Sequence, residues 1–539
     1  MKKIILIVSF IFIYTISCAK QNSIVNEAIS INMGPEPKTL DPTLNSLGSA
    51  SCYILHAFEG LTKMDSNNTV QPGIAERWDI SDDGLTYTFH LRTNALWSDG
   101  TNVKAKDFEY SWKRSVNPSV AAEYAYMMEI VQNAKEINEG TMDYNELAVK
   151  AIDDYTFEVT LANPSPYFLE FIASTGIFMP LREDIINTYG DEWTLKPETY
   201  IVNGAYTMTE RLADEKIVFS ANKNYYNPNE QVAKKINFVL MSEPNTAMSG
   251  IKSSSIHFSA LEPPSSEIAS LKTDNLLVEN NAIGTYFIEL NITNNALRDK
   301  RVRQALSLAI DRNYLVLNVT KGGQTPAGAF IPPTIKGSNS TFRVENQEYI
   351  NNKTYLANVE KAKRLIAEAG YPNGKDFPVL ELKVSPGIYV LLGETIQQMW
   401  RDNLNVYIKL LQEEFPVTLQ TLVDKNYEMA RMGWTGDYND PMTMLEIMLS
   451  YSGINHTGFS NADFDNLINI AKTSADNDVR MNAMKEAEAI LMDEMPIIPL
   501  YYRTDLFMVN PILKNVVLSP LGRHKFNYCY IEVTKKTNR

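Results

Sequence analysis

Helix-like and strand-like segments alternate along the second half of the chain, and this alternation restricts the fold more than any other pattern. Apolar residues recur at helical spacing over 302–310 and again over 359–369. A strand-like segment follows at 406–410. Such alternation is typical of α/β proteins, so we predict an α/β arrangement for residues 285–500.

The first third of the chain also mixes strands and helices. Alternating apolar and polar residues predict strands at 28–33, 87–92 and 155–161, and apolar spacing predicts a helix over 104–116. The length of 539 residues is enough for roughly three or four folding units. A single small module is therefore excluded.

The N-terminus carries a basic head, Met1–Lys3, followed by the apolar run Ile4–Ile13. A membrane-spanning helix needs about 20 apolar residues, so this run is too short and a secretory signal peptide is predicted. Thr15–Cys18 resembles a bacterial lipobox, in which the cysteine is acylated after cleavage. Removal of the first 17 of 539 residues leaves 522. The alternative is that Cys18 is an incidental cysteine beside an ordinary cleavage site.

The net charge limits the possible partners, and the cysteine content limits the possible disulfides. Lys and Arg number 50 against 64 Asp and Glu, a net charge of −14 that is the wrong sign for general binding to nucleic acid or an anionic membrane. We therefore expect no nucleic-acid partner. In an exported chain, Cys52 and Cys529 either form one disulfide or remain two buried free thiols.

Familiar catalytic and metal-binding patterns are absent from the sequence. The five histidines are scattered and none lies in a metal-ligand spacing. The sequence also has no nucleophile elbow, phosphate loop or dinucleotide fingerprint. We expect no metal, no cofactor and no enzymatic activity.

The segment from Arg431 to Pro441 is the most unusual in composition and is predicted to be a loop after a helix. Its glycines, Gly433 and Gly436, allow a partner to approach the backbone closely. Trp434 offers a flat apolar face, and Asp437 offers a charge that an amine would meet. The alternative is a plain structural turn.

Many ordered motifs give the mature chain a family resemblance. The matching stretches lie between residues 39 and 502 and are Thr39–Pro42, Phe58–Leu61, Pro72–Pro118, Ala151–Asp154, Val202–Tyr206, Arg301–Leu306, the Trp434 segment and Pro496–Tyr502. On these motifs the chain resembles the oligopeptide-binding lipoproteins of bacterial ABC importers, within the peptide and nickel class of extracytoplasmic solute-binding proteins.

The resemblance implies an α/β fold of the class II periplasmic-binding-protein type, with two lobes, a cleft between them and an extra inserted subdomain. Two strands would cross between the lobes near Gly284 and Asp505 and act as hinges. The implied division is a signal peptide (1–17), lobe I (19–58, 182–283 and 505–539), the inserted subdomain (59–181) and lobe II (284–504).

The resemblance also implies the residues that bind ligand. Strand edges near Ser46, Leu47 and Gly48 and at Gly433–Thr435 would pair with an extended peptide backbone. Asp437 matches the family's amine-binding aspartate, and Arg431 matches an arginine that orients the ligand or its carboxylate. The residues that match the walls of side-chain pockets are Tyr124, Tyr286, Phe287, Phe415 and Trp434.

Three positions depart from the family pattern. Well-described peptide binders carry an acidic residue at the position of Ser46 and a histidine at the position of Tyr389, so recognition of basic side chains or of the peptide carboxylate would differ. Gly284 and Thr435 replace a cysteine pair found in some relatives. That disulfide cannot form in this chain.

The function implied is a lipid-anchored, monomeric protein at the periplasmic or cell-surface side of a bacterial membrane. It would capture oligopeptides and deliver them to an ABC transporter permease without catalysis. Alternatives with the same fold are binding of a dipeptide, a nickel chelate or a cell-wall peptide. Alternatives of other classes are an exported enzyme and a surface adhesin or interaction lipoprotein.

Overall fold

The computed structural model describes residues 22–25, 28–46 and 48–534. The predicted signal peptide 1–17, the lipidation candidate Cys18 and Leu47 lie outside these residues. Within the part of the chain that is described, no helix is both long and apolar enough to cross a membrane.

Helices and strands alternate through the whole described chain. The α-helices are α1 (Gly48–Ala57), α2 (Ala105–Val116), α3 (Ala134–Asn138), α4 (Phe168–Ser174), α5 (Glu183–Tyr189), α6 (Pro244–Lys252), α7 (Ile268–Thr273), α8 (Lys300–Leu308), α9 (Arg312–Tyr314), α10 (Phe342–Glu345), α11 (Tyr355–Glu368), α12 (Ile388–Leu404), α13 (Phe415–Val423), α14 (Met442–Leu445), α15 (Ala462–Thr473) and α16 (Asn477–Glu494). The strands are β1 (Asn22–Val25), β2 (Ala28–Asn32), β3 (Thr62–Met64), β4 (Val70–Pro72), β5 (Ala75–Ile80), β6 (Thr86–Leu91), β7 (Val149–Asp153), β8 (Thr156–Thr160), β9 (Tyr206–Leu212), β10 (Lys216–Ala221), β11 (Lys235–Val239), β12 (Phe258–Ser259), β13 (Leu277–Leu290), β14 (Thr325–Pro326), β15 (Leu380–Val384), β16 (Ile408–Gln412), β17 (Met429–Thr435), β18 (Ile497–Val509), β19 (Leu513–Lys514) and β20 (Tyr530–Thr534).

Most of the long strands belong to one 11-stranded sheet. Its order is β16-β15-β17-β13-β18-β12-β2-β11-β10-β9, with β14 added beside β18. The strands at one end come from residues 380–435 and those at the other end from residues 28–32 and 206–239. The two halves are joined by β13 and β18, which are the longest strands, with 14 and 13 residues.

The ladder between β13 and β18 is interrupted in its middle. The antiparallel register shifts between Asn281 and Thr285, which face Thr504 and Tyr502 on β18. The regular β13–β18 pairing is therefore interrupted at the point where the two halves meet. Gly284 lies within this interruption, and Asp505 lies one residue beyond it on β18.

A second layer is built from residues of the first third of the chain. Strands β5, β6, β8 and β7 form a four-stranded sheet, and α2 packs on it through buried Phe108 and Trp112. A buried ion pair fixes this layer to the N-terminal segment, because Arg114 lies 2.9 Å from the carboxylate of Asp41. Trp193 donates a hydrogen bond of 3.1 Å to the same carboxylate.

Several predicted elements are confirmed. Helix α8 begins after Asp299, whose side chain accepts a hydrogen bond from the Arg301 backbone N–H. The predicted strand at 406–410 begins two residues later, at Ile408, because Asn405 adopts a left-handed conformation to end α12. Cys52 and Cys529 are both free and buried, so of the two alternatives the structure has the pair of thiols.

Candidate ligand-binding site

Strand β17 is fully paired along one edge and only partly paired along the other. One edge pairs with β13 along its whole length, from Leu290–Met429 to Gly284–Thr435. On the other edge, β15 pairs only with Met429 and Ala430. Among the described strands none pairs with residues 431–435 on that side, so their backbone groups are available to an extended ligand.

This strand corrects the prediction that the whole Arg431–Pro441 segment is a loop after a helix. Residues up to Thr435 are a strand, and the loop begins at Gly436. The composition is typical of a loop because of its two glycines, but pairing with β13 overrides that preference. A Cβ at Gly433 would lie 2.5 Å from the ring of Tyr286, and a Cβ at Gly436 would lie 2.5 Å from Ile283. Both glycines therefore serve close packing.

Arg431 lies at the start of the open edge and is buried, with 8% of its surface exposed. Its guanidinium carbon lies 3.5 Å from the ring centre of Tyr389 and 4.2 Å from that of Tyr286. Its Nε and Nη2 atoms are buried without a hydrogen-bond partner among the described residues. An arginine held in this way is a ready site for a carboxylate or carbonyl oxygen.

Asp437 lies just past the other end of the open edge. Burial raises the pKa of its carboxyl group to about 6, an effect that nearby Arg523 opposes and that Glu446 reinforces. Its backbone N–H donates to the hydroxyl of Thr443 at 2.9 Å, which fixes the loop. A carboxylate that is partly removed from water, with its pKa raised toward neutral pH, is stabilised by a cationic partner more than an exposed carboxylate is.

Arg523 connects three separate segments at this point. Its Nη1 atom donates to the backbone carbonyl of Asp437 at 3.2 Å and to the hydroxyl of Ser174 at 3.1 Å. Tyr124 is half-buried in the same region. Burial is the largest cause of its raised pKa, and the nearby charge of Asp437 is the second. The Asp437 end of the site is thus formed by residues from three parts of the chain.

The other residues predicted to form the walls of side-chain pockets do not all lie at the site. Trp434 is partly exposed beside Asp437, and its ring N–H donates to the carbonyl of Thr443 at 2.7 Å. Phe415 is 48% exposed at the start of α13. Phe287, also predicted to form a wall, is buried in the core. Successive strand residues face opposite sides, so Phe287 packs against Phe330 in the core while Tyr286 faces Arg431.

Of the predicted second edge at residues 46–48, neither described residue, Ser46 or Gly48, lies in a strand. Ser46 lies in an irregular stretch and donates a hydrogen bond to Glu123 at 2.5 Å, and Gly48 is the first residue of α1. The apolar side chains that follow Gly48, such as Tyr53 and Ile54, are buried by the helical conformation. Leu47, between them, lies outside the described residues.

Sequence reasoning missed three residues that contact the site. Tyr501 lies with its ring centre 5.2 Å from that of Tyr286, Arg503 donates to the hydroxyl of Thr435 at 2.8 Å, and Arg523 binds the Asp437 carbonyl. No group of His, Cys, Asp and Glu among the described residues is arranged to hold a metal ion.

Comparisons with known proteins agree with this architecture. Residues 69–456 match the sequence model of the bacterial extracellular solute-binding proteins, family 5. The oligopeptide-binding protein OppA of Bacillus subtilis is 32% identical over 518 residues, which cover 95% of this chain and 94% of that protein. The murein peptide-binding protein MppA of Escherichia coli is 31% identical over 486 residues, covering 89% and 88%.

Comparison with solved structures identifies proteins of the same kind. The unliganded open form of the murein tripeptide-binding protein MppA has a TM-score of 0.83 at 29% identity and covers 95% of this chain and 99% of that one. Haemophilus influenzae OppA in complex with the peptide RPPGFSPFR has a TM-score of 0.74 at 30% identity, covering 94% and 98%. The predicted two-lobed α/β fold with an inserted subdomain is confirmed. The chain belongs to family 5 of the bacterial extracellular solute-binding proteins.

Proposed function

We propose that this protein captures oligopeptides with a free amino terminus in the cleft between its two lobes. The observation that carries the proposal is the open edge of β17, with a buried arginine that has two unpaired donors at one end and a partly buried aspartate at the other. An extended peptide carries regularly spaced backbone groups and a cationic amine, so it complements this arrangement whatever its side chains.

Asp437 is the proposed partner of the peptide amine. Its carboxylate is costly to bury alone, so an arriving ammonium group restores part of the lost solvation energy. Arg431 is the proposed partner of a ligand carbonyl or carboxylate further along the peptide, since two of its donors lack a partner among the described residues. Tyr389, where relatives carry a histidine, stacks on this arginine and so shapes its position.

The lobes are proposed to close on the peptide by bending where β13 and β18 cross. The register shift around Gly284 supports a hinge at this position, because fewer ladder hydrogen bonds resist rotation there. As part of the proposal, the lobe boundaries lie near residues 284 and 505, and the inserted subdomain comprises residues 59–181.

Transport follows from the family rather than from the geometry of the cleft. We propose that the loaded protein delivers its peptide to an ABC transporter permease, and that the chain itself catalyses no reaction. Acylation at Cys18 would hold a monomeric body at the outer face of a bacterial membrane, since each buried methylene contributes about 0.8 kcal/mol. The support for export is the apolar run that precedes Cys18.

Identification of the ligands that copurify with the protein tests this function. The purified chain is denatured, and the released small molecules are analysed by mass spectrometry. We expect a mixture of linear peptides with free amino termini. A uniform murein peptide would narrow the ligand to the class named for MppA. A metal chelate or a ligand without an amine would contradict the proposal.

A further inference from the structure

The loop that carries Asp437 has no regular structure of its own. Residues 436–441 lie between the end of β17 at Thr435 and the start of α14 at Met442, and none of these six residues belongs to a helix or a strand. A loop of this kind is not held by a regular ladder of backbone hydrogen bonds. The position of the Asp437 carboxylate therefore depends on what the neighbouring side chains of the loop contact.

Tyr438, the residue after Asp437, is anchored on a distant part of the chain. Its ring stacks on that of Tyr167, with the ring centres 4.4 Å apart and the planes 7° from parallel. Phe171 packs edge-on against the same ring, with the centres 5.5 Å apart. Tyr438 is 8% exposed, and its hydroxyl donates a hydrogen bond of 2.6 Å to Glu446. The side chain of Tyr438 is thus held both at its ring and at its hydroxyl.

Tyr167, immediately before α4, is linked to the same loop a second time. The guanidinium carbon of Arg480 lies 5.8 Å from the ring centre of Tyr167. Arg480 is buried and pairs at 3.2 Å with Asp440, which belongs to the loop. A cation over an aromatic ring is attracted by the face of that ring, so the buried ion pair also holds Tyr167.

Polar contacts surround the stacked rings. Glu170 pairs with Lys336 at 2.5 Å, and the backbone N–H of Lys336 donates to the side chain of Asn439, in the loop, at 3.0 Å. Ser174 accepts from Arg523, which also binds the carbonyl of Asp437. The residues of the α4 segment that take part are Tyr167, Glu170, Phe171 and Ser174. All of these contacts are present without a ligand.

We propose that Tyr167 is a positioning residue for the amine site. Its stack on Tyr438 holds the loop, so the Asp437 carboxylate is in place before a peptide arrives. The inference rests on the proposed function, because the role of Asp437 as the amine partner belongs to that function. A carboxylate that is already in place binds an ammonium group without the entropy loss of ordering the loop. Tyr167 acts through Tyr438 and needs no contact with the peptide.

The inference is tested by displacement calorimetry with tetraalanine in free and N-acetylated form. The ratio of the two affinities measures what the amine contributes, and in the wild type we expect the free peptide to bind at least about fivefold more tightly. Tyr167→Leu should lower this ratio at least about twofold by weakening only the free peptide. Tyr167→Phe keeps the ring and should retain the wild-type ratio.

The matched control is Tyr371→Leu. It removes another partly buried tyrosine, which packs edge-on against Phe377 at 5.0 Å just after α11, and it should leave the ratio intact. A ratio for Tyr167→Leu that stays within twofold of the wild type, including an equal weakening of both peptides, overturns the inference. A ratio for Tyr167→Phe as low as that of Tyr167→Leu also overturns it. If the wild type does not distinguish the two peptides, the proposed function itself fails.

Hydrogen exchange in the empty wild type tests the same claim without a substitution. If the loop at 436–441 is held before the ligand arrives, its amides should exchange at least about tenfold more slowly than those of the largely exposed turn at 451–454. Exchange as fast as in that turn would show that the contacts with the α4 segment do not hold the loop, and would overturn the inference.

Discussion

At the scale of single residues, Asp437 is held in a state that is unfavourable for the empty protein. The pKa of its carboxyl group is raised from 3.8 to about 6, chiefly because burial disfavours the charged form. Above pH 6 the empty protein carries a poorly solvated charge at the position proposed for the ligand amine. The ionised form of Asp437 therefore lowers the folding stability of the empty protein, at a residue that we propose binds the ligand.

This cost predicts a pH-dependent gain in stability for Asp437→Asn. The folded-state pKa is raised, so the stabilising contribution of the neutral carboxyl group is complete below pH 3.8 and is lost as the pH rises through about 6. The variant cannot ionise, so its free energy of unfolding at pH 7.5 should exceed that of the wild type by about 1–3 kcal/mol.

Urea unfolding of the empty protein at pH 7.5 and pH 3.5 measures the effect. At pH 3.5 the two proteins should have nearly the same stability, since Asp437 is neutral in the folded state and largely neutral in the unfolded state. Asp82→Asn, at an exposed position, serves as the control and should change little at either pH. A variant that is less stable than the wild type at pH 7.5 would show that the Asp437 charge is well satisfied without ligand.

At the scale of elements, β17 depends on a glycine at the centre of its open edge. A Cβ atom on residue 433 would lie only 2.5 Å from the ring of Tyr286. This ring also lies against the guanidinium of Arg431. The strand, the ring and the arginine therefore hold their positions together.

We expect Gly433→Ala to weaken peptide binding and to lower the free energy of unfolding by about 1–3 kcal/mol, because Tyr286 must move to admit the methyl group. Calorimetric binding and urea unfolding measure the two effects. Gly453→Ala is the matched control, since a Cβ there has no heavy atom within 4 Å. Equal behaviour of the two variants would mean that the packing at Gly433 is not needed for the site.

The same strand marks a limit of prediction from sequence. Helix α8 was predictable because its apolar spacing and its capping Asp299 are local signals. Strand β17 was not, because its glycines favour a loop and its partner β13 lies about 150 residues earlier. The unusual composition of its segment marked Asp437 as a candidate, but its assignment as the amine-binding residue came from the family resemblance, since a lone aspartate in a glycine-rich segment has no distinctive local pattern.

At the scale of the whole molecule, distant segments meet at the site. Arg523 reaches Asp437 from 86 residues further along the chain, and Ser174 reaches the same arginine from a distance of 349 residues. No periodicity or motif encodes such contacts, which is why Arg523 was missed.

The attachment of the four-stranded layer to the N-terminal segment also belongs to this scale. Arg114→Met leaves the buried Asp41 carboxylate without its cation, so we expect a loss of about 3–5 kcal/mol in the free energy of unfolding. Arg77→Met removes an exposed partner of Asp79 and should cost less than about 1 kcal/mol. Urea unfolding of both variants tests this, and similar losses would contradict a structural role for the buried pair.

The central claim is that the cleft recognises a peptide through its free amine at Asp437. Isothermal titration of the wild type with one peptide in free and N-acetylated form tests it most directly, with the Asp437→Ala variant alongside. We predict that acetylation and the substitution each weaken binding by at least about 1–3 kcal/mol, and that the variant no longer distinguishes the two peptides. Equal affinity of the wild type for both peptides would contradict the account.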